Sequence, residues 1–171
     1  MKKVIVIAAL LVAMLGAKAQ NPIAFEYVIQ KEGATAEQIY NALVDWIVSS
    51  FQAVDGDFYR DKEEKMITKD VMFRYDAPRL QIKCYNGEIR YKLKFQCRDG
   101  RFKMTCTNFC HKNDPGNHWS CILDMITDEE PSERYAKEVW QDIKNKAEIK
   151  ADDIKNQLEQ LQVGAQGNDD W

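Results

Sequence analysis

KLKFQCRDGRFKMTC, residues 92–106, decides the fold. At its centre Asp99-Gly100 is a two-residue reversal pair flanked by alternating side chains, a strong short-range hairpin signal. Counting outward places Leu93, Phe95, Cys97, Phe102, Met104 and Cys106 on one face. Lys92, Lys94, Arg98, Arg101, Lys103 and Thr105 fall on the other. The predicted rungs are Arg98 with Arg101, Cys97 with Phe102, Phe95 with Met104 and Leu93 with Cys106. A slip of one residue would turn every apolar side chain into water, so the phase is strongly specified.

Upstream, Asn86-Gly87 reads as a second reversal of the same type, with positive φ required at both central residues. It predicts a strand over Leu80–Cys84, with Cys84 opposite Ile89 and Ile82 opposite Tyr91. Both reversals agree on one core face: Leu80, Ile82, Cys84, Ile89, Tyr91, Leu93, Phe95, Cys97, Phe102, Met104 and Cys106. Downstream, Asp114-Pro115-Gly116-Asn117 is a further turn. Centred on Pro115-Gly116, it sets Cys110 opposite Cys121 at the separation a disulfide requires, and this pair is the predicted bridge.

Around this block, Phe25, Tyr27 and Ile29 alternate with Glu26, Val28 and Gln30 as a half-buried strand. Thr35 with Gln38 three residues on is a capping box, and Ile39, Leu43, Trp46, Ile47 and Phe51 recur at helical spacing. A helix over 36–51 follows, stopped by Asp55-Gly56. Phe58-Tyr59-Arg60 turns through Asp61–Glu64 into Met66–Tyr75, where Ile67, Val71, Phe73 and Tyr75 share a face. Beyond Pro131, Ser132 can cap a second helix, striped by Tyr135, Val139, Trp140, Ile143, Ala147, Ile154, Leu158 and Leu161. Running to Gln162 it would be about 45 Å long, so it should break near Ala151-Asp152-Asp153 or project.

The chain begins as an export signal does. Lys2 and Lys3 precede an apolar run from Val4 to Leu15, and Ala17-Lys18-Ala19 supplies a cleavage site before Gln20. That run is shorter than the ~20 residues of a membrane span. The expected organisation is a signal peptide over 1–19, one α+β domain over 20–163 and a tail over 164–171. The mature chain is expected to be exported, periplasmic or secreted, and not membrane-spanning.

Net charge is −3 but unevenly spread. Between Arg79 and Lys112 nine Lys or Arg face only Glu88 and Asp99, whereas from Asp128 to Trp171 twelve acids face six bases. Such asymmetry speaks to partners rather than fold. All five cysteines (84, 97, 106, 110 and 121) follow the signal, and an odd number leaves at least one unpaired within the chain.

The order strand, helix, antiparallel strands, helix is joined by specific segments: TAEQIYNALVDWIVSSF, RDKEEKMITK, RYKLKFQCRDGRFKMTCTNF and a Trp140-centred helix running to IKNQLEQLQ. Together they resemble a family of exported proteins of Gram-negative bacteria, a domain of unknown function with a TATA-binding-protein-like (TBP-like) fold. The hairpin pattern of that family is met here by Arg98-Asp99-Gly100-Arg101-Phe102, and the resemblance spans about Phe25 to Leu161. It implies an open antiparallel sheet, here of five to seven strands, with both helices packed on one face. It brings no activity and no catalytic residues. Asp76–Gly87 is richer in strand-like residues than the family pattern, and the Cys110–Cys121 loop reads as a local elaboration.

The feature pointing most directly at function is the outward row Lys83, Arg90, Lys92, Lys94, Arg98, Arg101 and Lys103. Two readings account for it. It is a docking surface for an anionic envelope component or an acidic protein, or it is a solvated sheet face neutralised by Glu63, Glu64, Asp70 or an acidic helix. Nucleic acid is not the expected partner, since the pI is about 5.5 and outward aromatics for stacking are few. His111 and His118 would share one side of a hairpin without a third ligand, so no metal site is expected and they read as loop histidines. Cys84, Cys97 and Cys106 lie in apolar rows, which raise thiol pKa and block access. No acid, base and nucleophile assemble, and no cofactor is implied. The reading is therefore a non-enzymatic binding module at the cell envelope, acting through the basic face or the C-terminal helix. The alternative is a carrier holding a small apolar ligand between sheet and helices.

Overall fold

The computed structural model describes residues 21–114 and 125–164. Strand β1 (Phe25–Gln30) leads into helix α1 (Ala36–Phe51). A meander follows: β2 (Phe58–Asp61), β3 (Met66–Tyr75), a 3-10 segment (Leu80–Tyr85), β4 (Gly87–Arg98) and β5 (Arg101–Asn113). Helix α2 (Arg134–Gln160) closes the described chain. The sheet has five antiparallel strands in the order β1-β5-β4-β3-β2. β1 and β2 are thus opposite edges, and α1 must carry the chain across the sheet between them.

The hairpin at Asp99-Gly100 has the expected register on all four rungs, from Arg98–Arg101 to Leu93–Cys106. Only Gly100 takes a left-handed φ, at +74°, while Asp99 does not. Its carboxylate accepts from Ala36 N at 2.7 Å, tying the hairpin tip to the start of α1. That start has the capping box: Gln38 N donates to Thr35 Oγ1 at 3.2 Å, and Thr35 N donates to Gln38 Oε1 at 2.9 Å. The helix ends at a left-handed Gln52 (φ 49°), earlier than Asp55-Gly56.

Asn86-Gly87 is not a hairpin. Asn86 has φ −58° and ψ 139°, the segment before it is 3-10, and β4 pairs on that side with β3, from Met66–Gln96 to Tyr75–Gly87. The long β3 strand offers ten paired residues with its own apolar face. A Leu80–Cys84 strand could not compete for the same edge of β4. Asn86 acts as a clamp instead, with its Oδ1 accepting from Ala77 N at 2.8 Å and its carbonyl accepting from Asp114 N at 3.0 Å. Ile82 and Tyr85 are buried by the 3-10 turn, whereas Leu80, expected in the core, is 75% exposed and Cys84 is half-buried.

One face of the sheet carries the core. Ile67, Ile89, Leu93, Phe95, Met104 and Cys106 are fully buried beneath α1 residues Ile39, Leu43 and Ile47 and α2 residues Val139, Ile143 and Ala147. Trp46 meets Phe95 edge-on at 6.1 Å, and Tyr91 stacks on Phe109 at 4.9 Å. Helix α2 neither breaks nor ends at 162. Its 27 residues span roughly 40 Å without interruption, and Ala151, Ile154 and Leu158 stay buried beyond the expected break. Its cap is Glu133, whose carboxylate accepts from Ala136 N, rather than Ser132. The far end is held by Lys31, whose Nζ donates to the carbonyls of Glu159 and Leu161, a cation at the negative pole of the helix. Tyr27 Oη and Tyr75 Oη bond Asp152 and Asp142, so two acids of the helix anchor it to the sheet. Among the described residues no helix is long and apolar enough to cross a membrane.

Candidate functional site

The other face of the sheet bears no helix among the described residues, and strand pairing orders its side chains in rows. Gln30, Arg101 and Arg98 form the row nearest the hairpin tip. Val28, Lys103, Gln96 and Met66 form the next, followed by Glu26, Thr105, Lys94 and Thr68. Further from the tip lie Lys92 beside Asp70 and Arg90 beside Met72.

Six of the seven cations expected on this face are on it. Lys83 is not, because it belongs to the 3-10 segment. Three of the six are neutralised locally: Arg90 by Glu88 at 3.0 Å, Lys92 by Asp70 at 2.8 Å and Lys103 by Glu26 at 2.8 Å. For these the plain solvated-face reading holds, with Asp70 the one neutralising acid correctly anticipated. Exposed pairs of this kind contribute little to stability. Lys94, Arg98 and Arg101 differ, since no described acid lies within ion-pair distance of them. Asp99, adjacent in sequence to Arg98, is engaged with the α1 backbone. Arg98 and Arg101 face each other on the last rung, an arrangement of like charges that costs some stability. Beside them is an open hollow of about 370 Å³, lined by Val28, Gln96 and the two arginines among others. The reading of the row missed Val28 and Gln96. The signal for Val28 was an apolar residue out of phase with Phe25, Tyr27 and Ile29, and it is 58% exposed.

His111 is a correction. It is 2% exposed and lies on the core face, with Nε2 2.7 Å from the Tyr85 carbonyl and no partner for Nδ1. Tyr75 meets its ring edge-on at 5.8 Å. The cause is a bulge: two β5 residues, Asn108 and Phe109, stand where β4 has only Tyr91, and Asn108 is left-handed at φ 57°. The extra residue inverts the alternation beyond Thr107, turning Phe109 and His111 inward and Cys110 away from the core. Burial pushes the His111 pKa below its ordinary value, partly offset by the Tyr85 carbonyl and Asp114. The expected Cys110–Cys121 bridge and His118 involve positions outside the described residues. Cys97 and Cys106 are buried, which pushes both thiols up to about 12.

Between the helices and the sheet, Trp46, Phe51, Val71, Phe73, Tyr91 and Ile154 line an open groove of about 240 Å³.

A family profile described as "Domain of unknown function (DUF4468) with TBP-like fold" matches residues 25–112. Two solved structures are similar. A TBP-like protein from Parabacteroides distasonis shares 14% identity, with 82% of this chain and 95% of that chain covered and a TM-score of 0.57. A DUF4468 family protein from Bacteroides ovatus shares 12%, covering 82% and 88%, with a TM-score of 0.49. No curated protein matches the chain.

Proposed function

The chain belongs to this family of TBP-like domains of unknown function, and from that premise we propose that it is an exported, non-catalytic module that binds an anionic glycan of the cell envelope through the outer face of its sheet. The observation that carries this reading is the trio Lys94, Arg98 and Arg101. These cations lie toward the hairpin-tip end of a sheet face that no described helix covers, with no described acid within ion-pair distance of them. Uncompensated cations on a bare face supply both attraction and steering for a polyanion. The leader-like residues 1–19 support an envelope destination. A binding role rather than catalysis is supported by the high-pKa, buried thiols Cys97 and Cys106 and by Asp142 and Asp152, which hold α2 to the sheet.

The test is retention of the mature chain on an immobilised acidic polysaccharide. Retention at low salt, lost at high salt and lost in the triple variant Lys94→Glu, Arg98→Glu, Arg101→Glu while its circular dichroism is unchanged, is the expected result. Absence of retention by the native protein at low salt overturns the proposal.

The groove over Val71, Phe73 and Tyr91 favours a second reading, a carrier of a small apolar ligand. Co-purifying lipid in native mass spectrometry is what that reading requires.

A further inference from the structure

The two arginines at the hairpin tip do more than add charge. We infer that the hollow bounded by Val28, Gln96, Arg98 and Arg101 is a saccharide subsite, taking one hydroxylated ring that carries an oxyanion, carboxylate or phosphate; this rests on the anionic-glycan reading above.

Four observations converge there. Arg98 and Arg101 oppose each other directly on the terminal rung, so both side chains leave the same face, both line the hollow, and each ends in a planar guanidinium fork. Such forks match the two oxygens of a carboxylate or phosphate, which an ammonium group cannot do in the same way. Second, the nearby acids are already engaged: Asp99 accepts from Ala36 N at 2.7 Å, and Glu26 is paired at 2.8 Å with Lys103, a further cation lining the hollow. An anion entering between the arginines therefore removes an existing like-charge repulsion as well as making new bonds.

Third, the walls differ in chemistry. Val28 is an apolar residue among mostly polar ones at this end of the face, 58% exposed with no apolar neighbour in its row until Met66. Gln96, two positions along β4 from Arg98 and therefore on the same face, presents a carboxamide that can both donate and accept. A pyranose has the complementary pair of surfaces, a C–H face for Val28 and a hydroxyl rim for Gln96. Fourth, the hollow of about 370 Å³ lies at the small end of the range usual for ligand sites, suited to one ring rather than an extended chain.

The geometry also says what these arginines are not. Neither makes an ion pair with a described acid, so neither holds the fold together electrostatically. Replacing both with glutamine should leave the melting temperature unchanged or raise it, the pattern of residues kept for binding at some cost in stability.

The experiment is an amide-resolved NMR titration of the mature chain with glucuronate, glucose 6-phosphate and glucose, run at low and high salt. Saturable shifts at Val28, Gln96, Arg98 and Arg101 with either anion, none with glucose, and weakening at high salt are expected. In Arg98→Gln with Arg101→Gln the affinity should fall by roughly tenfold or more, as lost charge-assisted hydrogen bonds imply. Arg98→Lys with Arg101→Lys preserves the charge and removes the forks. That variant should keep retention on the acidic polysaccharide yet lose the small anions. Shifts by glucuronate alone, or by glucose 6-phosphate alone, uphold the subsite and name its oxyanion. Equal binding of glucose, or undiminished binding by the glutamine variant, overturns it. So does a glutamine variant that has lost its fold. If neither anion shifts the spectrum while polysaccharide retention persists, the subsite falls and the broader docking face stands. If retention is also absent, both fall.

Discussion

The β4–β5 ladder has two ends built on different rules. Toward Asp99-Gly100, alternation is unbroken: Leu93, Phe95, Cys97, Phe102, Met104 and Cys106 point inward, and the intervening cations point out. Toward Asn113 the same pair of strands carries a bulge at Asn108–Phe109. There the ladder buries a histidine against the Tyr85 carbonyl of the 3-10 segment, while β3 still pairs with β4 as far as Gly87. The regular end displays charge on the outer sheet face, and the irregular end takes a polar group into the core. A single added residue accounts for that difference, because period-two alternation has no means of recovering its phase after an insertion.

The contrast can be broken most forcefully at the regular end. Phe95→Ala removes a fully buried ring packed against Trp46 and Phe102, and should cost about 3–5 kcal/mol in urea unfolding. A loss well under ~1 kcal/mol would place Phe95 outside the core and overturn the register.

At the irregular end, His111→Phe leaves the Tyr85 carbonyl without its partner and should cost about 1–3 kcal/mol. A pH series sharpens this further. The folded pKa of His111 lies below 6.5 because burial disfavours the cation. The unfolded chain thus binds the extra proton more readily than the folded one. The stabilisation is complete above about 6.5 and is lost as pH falls through the window between that value and the lower folded pKa. Tyr75 and Tyr85 flank the ring, and Asp114, itself held to Arg74, is the nearby charge that limits the shift. His111→Phe should flatten the slope in that window; an unchanged slope would assign it to another group.

The smallest effect expected is Asn86→Gly, at about 1 kcal/mol for the lost bond to Ala77 N. A type I′ reversal would accept glycine there without penalty, so a neutral or stabilised variant would restore the hairpin that the 3-10 segment replaces.

Much of this molecule is written locally. The Thr35–Gln38 box starts α1 at the expected residue, Phe25–Gln30 alternates as one edge, and Asp99-Gly100 sets a register that holds for seven rungs in succession. The outward cations follow from that register alone. Which of them are neutralised did not, since Glu26 lies 77 positions before Lys103 and reaches it only because β1 pairs with β5. Asp99 is adjacent to Arg98 in sequence, yet its carboxylate is taken by the start of α1, another contact that only the tertiary structure supplies.

From its own order of residues the chain determines the two helices, the hairpin phase and the sign of the charge on each face, because caps, reversals and period-two alternation act over a few positions. Tertiary structure alone decided that β3 rather than Leu80–Cys84 lies beside β4, that α2 runs unbroken along the sheet, and that His111 is interior. Those outcomes depend on competition between distant segments for one sheet edge and one apolar surface. That competition is settled by the area each can bury, which no local pattern encodes.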